Sequence, residues 1–182
     1  MPSFIVTYVR YVDAVNRFFG RMAMYMIFAM LGVLLYSSIS KTFFLPSVWT
    51  LEVAQFLMAA YYILGGGYSM QLHAHVRMDL LYGRWSPPRM AFADTLTSVC
   101  LISYLVLLLI GGISSTEYAL EYGETSYSSW SPYMAPIKIV MVFGILLMLL
   151  QAIAFFFRDL AAARGRSIDG QPLRTAPNRD EV

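Results

Sequence analysis

Four apolar stretches, at about residues 22–40, 51–70, 91–115 and 136–157, leave this chain little choice of solvent. Each holds 19 to 25 residues, with charge confined to the ends: Glu52, Asp94 and Lys138 each stand within a turn or so of a terminus. At about 1.5 Å of rise per residue, a helix of that length crosses a hydrocarbon layer roughly 30 Å thick. In hydrocarbon the backbone has to satisfy its own hydrogen bonds, so such stretches become helices rather than isolated strands. Composition agrees, with 58% of residues hydrophobic and 13% charged, against about 45–50% and 25% in a soluble domain. The expected fold is an all-α integral membrane protein with four transmembrane helices.

Orientation is read from the basic residues. Arg10, Arg17 and Arg21 precede the first stretch, Arg77, Arg84 and Arg89 fall between the second and third, and Arg158, Arg164, Arg166, Arg174 and Arg179 follow the fourth. Only Lys41 and Lys138 belong to the other side. The positive-inside rule then places both termini and the 71–90 connection in the cytoplasm. Residues 1–21 read as an amphipathic segment without a small-residue cleavage site. Arg10, Asp13 and Arg17 recur at i, i+3 and i+7, with Phe4, Tyr8, Val12, Val15 and Phe19 on the other side. A helix lying in the inner membrane interface and a plain extension of the first span both satisfy that pattern. From Asp159 to the end apolar periodicity is lost, which predicts a polar cytoplasmic tail over 159–182.

Several function classes are disfavoured by what the chain carries. A single cysteine, Cys100, cannot form an internal disulfide, a CxxC pair or a cysteine metal cage. The arginines are dispersed and form no nucleic-acid patch. Both histidines, His73 and His75, stand in QLHAHVRMDLL. At i and i+2 on a helix they point to nearly opposite sides, and no third soft ligand completes a site. A hydrogen bond between His75 and Asp79, one turn apart, is the simpler expectation. Gly65, Gly66 and Gly67 in the second stretch, and Gly111 and Gly112 in the third, suit close helix packing in lipid. Packing inside the bundle and packing against another subunit are both open.

The segment HVRMD at 75–79, directly after a glycine-bearing apolar helix, resembles the signature of the small membrane subunit of TRAP (tripartite ATP-independent periplasmic) transporters. Other pieces follow in order. They are Trp49 and Glu52 opening the second helix, the SPP at 86–88, Glu124 after Gly123, and Gln151 inside the fourth helix. The likeness covers about residues 15–160. It departs from the family pattern at Gln71-Leu72-His73, where a basic residue is frequent.

The resemblance implies a scaffold in the bacterial inner membrane rather than an enzyme. In such systems a periplasmic binding protein captures an organic anion, and a large membrane subunit carries it inward, coupled to sodium. The small subunit packs beside the large one and holds neither substrate nor cofactor, so sodium is expected on the partner. Trp49, Glu52, His75, Arg77, Asp79, Glu124 and Gln151 would then serve assembly. The alternatives are a four-helix redox subunit for quinone or haem, and a generic membrane assembly factor.

Overall fold

The computed structural model describes residues 3–72 and 87–163, with side chains placed from 4 to 72 and from 96 to 158. His73, His75, Arg77, Asp79 and the tail beyond 163 lie outside the described residues. The described residues form four helices: α1 (Ser3–Phe43), α2 (Thr50–Gln71), α3 (Pro87–Glu121) and α4 (Ala135–Ala163). Three of them, α1, α3 and α4, are long and apolar enough to cross a membrane. At 22 residues α2 is also long enough, about 33 Å. Glu52, Gln55, paired tyrosines and the glycine run dilute its apolar character.

The first helix is one uninterrupted rod of 41 residues, about 61 Å long. The amphipathic segment therefore continues directly into the first apolar stretch instead of standing as a separate element. Its turn into α2 is tied by hydroxyls. Ser40 Oγ donates to the Leu45 carbonyl at 2.9 Å, and Thr50 Oγ1 donates to Ser37 Oγ at 3.0 Å. The α3 helix runs past the expected 91–115 at both ends. It stops at Gly123, whose φ of 60° lets the Glu124 amide reach back to the Ala119 carbonyl at 3.2 Å. That is a Schellman ending, and it needs glycine because a Cβ is strained in the left-handed region. Pro136 sits in the first turn of α4, where its missing N–H costs nothing.

Packing follows from the register of close contacts. The α1 helix runs antiparallel to α2, with Gly20 against Tyr68 and Tyr36 stacked on Trp49. The α4 helix lies parallel to α2, through Ile63 at Gly144 and Met148 at Gly66. It runs antiparallel to α1, as Phe19 against Phe143 shows, and antiparallel to α3 through Val142 at Gly112. Thus α4 is the central helix. In its most apolar window 39% of residues are buried, against 11% in α1 and 6% in α3. The buried core is small: Met70, Leu105, Leu149 and Ala152 form one cluster, and Val9, Val12 and Ala154 another. Most apolar side chains of α1 and α3 face outward, Tyr25, Phe28, Leu107 and Ile110 among them. Hydroxyls on these outer faces bond to carbonyls one turn back, as Ser103 does to Val99 at 2.9 Å.

Candidate functional site

The start of α1 and the ends of α2 and α4 meet at one end of the bundle, and there the chain buries a knot of polar side chains. Heptad-like spacing places Val9, Val12, Asn16 and Ala23 on the face of α1 that turns inward, and all four are buried. Asn16 is the polar member of that row, 1% exposed. Its Nδ2 donates to Gln151 Oε1 at 2.9 Å and to the Leu147 and Val12 carbonyls. Gln151, fully buried on α4, accepts a second bond from Gln71 Nε2 at 3.2 Å and donates to Asp13 Oδ1 at 3.0 Å. Gln71 also donates to the Asp13 carbonyl at 2.9 Å. Arg158, directly after the apolar stretch on α4, pairs with Asp13 Oδ2. Its guanidinium also lies 5.6 Å from the Phe155 ring centroid.

This arrangement corrects one sequence expectation. Asp13 does not share a solvated face with Arg10 and Arg17, which are exposed; it turns toward the bundle. The reason is that two helices, α2 and α4, cover adjacent sides of α1, so a residue at the edge of the apolar stripe still finds protein beside it. The pattern of Val9, Val12, Asn16 and Ala23 was the available signal for Asn16. Nothing local pointed to Asp13 and Gln71, whose partners are distant in sequence.

At the opposite end a second ion pair joins Glu124, just past α3, to Lys138 on α4. Lys138 Nζ also donates to the Ser115 carbonyl at 3.4 Å. Lys138 thus has a carboxylate partner within the chain. Trp49 stacks on Tyr36 at 5.7 Å between ring centroids, and Glu52 is buried at 7% exposure with Oε2 unpartnered. Among the described residues, those singled out in the sequence therefore separate into two places. Gln151 is the hub of the polar knot, and Trp49, Glu52 and Glu124 stand at the far end. His75, Arg77 and Asp79 fall outside the described residues.

The glycines divide as well. A Cβ on Gly66 would come within 2.8 Å of Met148 Sδ, and one on Gly112 within 3.1 Å of Val142 Cγ2, so both face neighbouring helices. A Cβ on Gly67 would overlap Asn16 Oδ1, and one on Gly65 would make ordinary contact with Ala23 at 3.9 Å. Gly111 faces open space. Two glycines that the sequence reading passed over, Gly20 and Gly144, are among the tightest: a Cβ there would overlap Tyr68 or Ile63.

Chemically, the knot holds neutral amides and one ion pair that bond mainly to each other, with Asn16 Oδ1 buried against Gly67 and without a hydrogen-bond partner among the described residues. It offers no activated nucleophile, and among the described residues no group of three or more potential metal ligands is gathered. What it does is join the ends of three helices by hydrogen bonds. The family model described as "Tripartite ATP-independent periplasmic transporters, DctQ component" matches residues 13–162, a stretch that begins at Asp13 and includes every member of the knot. No curated protein matches the chain.

Proposed function

Because this chain belongs to the DctQ component family of tripartite ATP-independent periplasmic transporters, we propose that it is the small scaffold subunit of such a transporter. It sits in the bacterial inner membrane with α2 as a fourth span and both termini in the cytoplasm. It packs against the large transporting subunit, widens its fixed part, and holds no substrate. The matched family is a transporter component, not an enzyme family. The carried compound is an organic anion, captured first by a periplasmic binding protein and moved by the large subunit with sodium.

The observation that carries this reading is the outward apolar surface of α1 and α3, which no other described residues cover. In water such a surface would aggregate; in a membrane it is covered by lipid and a partner subunit. A second support is the placing of charge. Asp13 and Arg158 stand at one end of the bundle, and Glu124 and Lys138 at the other. A carrier normally gathers polar groups near the bilayer midplane. Here the polar groups gather at the ends, which suits a scaffold beside the transport path.

Two tests follow. Affinity-tagged chain is expected to bring a larger membrane subunit with it through purification, and deleting its gene to abolish uptake of an organic acid. Undiminished uptake by the large subunit alone would end the scaffold reading. For sidedness, cysteines at Ser86 and Ser128 are introduced singly on a Cys100→Ser background. A membrane-impermeant thiol reagent added to intact cells should label the second and spare the first. Labelling of both from outside would overturn the proposed topology.

A further inference from the structure

The connection between α3 and α4 is built more firmly than a linker needs to be. Ser126 N–H donates to the Pro132 carbonyl and Met134 N–H to the Glu124 carbonyl, both at 2.9 Å, around a bridge between Thr125 and Tyr133. At its tip Ser131 has φ 47°, unusual for a residue with a Cβ and more so before proline. Three bonds hold it there. Its amide donates to the Ser128 carbonyl at 3.1 Å and to Ser128 Oγ at 3.2 Å, and its hydroxyl donates to the Ser128 carbonyl at 2.8 Å. The Glu124–Lys138 pair and the Schellman ending at Gly123 fasten the base. The result is a small, preorganised hairpin over Glu124–Met134.

That hairpin displays a specific kind of surface. Tyr127 is fully exposed, and Trp130 and Tyr133 are exposed beside it. Its single charged residue, Glu124, is offset by Lys138, so its outer surface is aromatic and hydroxylic without net charge. Glu117 and Glu121 flank it on the last turns of α3, both exposed. Lys138 reaches the Ser115 carbonyl, which fixes the base of the hairpin at the level where the apolar runs of α3 and α4 end. Tyrosine and tryptophan pair an apolar ring with a polar atom, and that combination partitions to the head-group layer.

From these observations we infer that the Glu124–Met134 hairpin is a lipid anchor, laying Tyr127, Trp130 and Tyr133 into the outer head-group layer of the membrane. The carboxylates of Glu117 and Glu121 stay in the hydrated part of that layer. The inference rests on the membrane-subunit reading above and adds a site of lipid contact outside the helices. Its role is to hold the outer ends of α3 and α4 at a fixed depth.

The test places a nitroxide at Ser129→Cys or, separately, at Leu107→Cys. Both are made in the full chain on a Cys100→Ser background, in phosphatidylcholine nanodiscs. Collision with oxygen reports lipid, and collision with a water-soluble nickel chelate reports water. Position 129 is expected to lie at head-group depth, between bulk water and the oxygen-rich Leu107 position. Chelate access equal to that of a free label overturns the anchor, and loss of both collisions overturns it in favour of a covering protein. If Leu107→Cys is itself not oxygen-rich, the membrane-spanning reading fails and the anchor with it, so the two failures are distinct. As an independent measurement, Trp49→Phe with Trp85→Phe leaves Trp130 as the only tryptophan. Lipids brominated near the head group are then expected to remove most of its emission, whereas unchanged emission would overturn the anchor.

Discussion

Gly20→Ala is expected to lower the stability of the helix bundle by about 3 kcal/mol, the upper part of the usual range for overpacking a tight site. One methyl group is enough because of what it meets. A Cβ at this position would overlap Cβ and Cγ of Tyr68, atoms too close to the α2 backbone to move without moving the helix. Gly144→Ala meets Ile63, a β-branched side chain with little rotamer freedom, and should follow close behind. Gly32→Ala and Gly111→Ala are the controls, since nothing lies within 4 Å of either added methyl. They should be neutral, or stabilising by up to about 1 kcal/mol through helix propensity. Thermal unfolding in detergent, followed by size-exclusion profile, checks the contrast. Equal behaviour of Gly20→Ala and Gly111→Ala would show that α1 and α2 are not held at this close approach.

Gln151→Leu should cost about 2–3 kcal/mol, because it removes three bonds between helices at once. Bonds of this kind in membrane proteins average near 0.6 kcal/mol and reach at most about 1.7. Three of them supply most of the effect, and the buried amide groups left behind supply the rest. The double variant Asn16→Leu with Gln151→Leu is expected to recover part of the loss, since Asn16 then no longer buries amide groups at the vacated site. The expected cellular phenotype is less chain recovered in the assembled complex, with near-normal transport per complex. Normal assembly with abolished transport would instead place the knot in the transport cycle. A melting temperature unchanged from wild type would mean that Asn16, Gln71 and Asp13 do not depend on Gln151.

Much of the architecture was legible in the chain because lipid imposes a coarse requirement. Any apolar run near twenty residues has to close its own hydrogen bonds in lipid, so four apolar runs meant four helices among the described residues. Gly123 and Pro136 punctuate the connection between α3 and α4 for local steric reasons that need no neighbour. Gln151 was picked out by its place in a short ordered pattern, and only the structure makes it the hub of the polar knot.

Which face of each helix turns inward was not legible, and the reason is physical. In a soluble protein the outer face is polar, so periodicity marks the core. In this chain Leu107 and Ile110 face outward and Leu105 faces α4, yet all three are aliphatic, because lipid and core are equally apolar. The same blindness applies to glycine: Gly111 and Gly112 are adjacent and alike in sequence, and only the second meets another helix. Asp13 shows the limit most clearly. By local spacing it groups with Arg10 and Arg17, but its bonding partners lie 58 positions away at Gln71, 138 at Gln151 and 145 at Arg158. Helix content and punctuation are local properties that sequence determines. The polar knot exists only once α1, α2 and α4 are set in register, and that register is decided by the close approaches at Gly20, Gly66 and Gly144, which no single segment encodes.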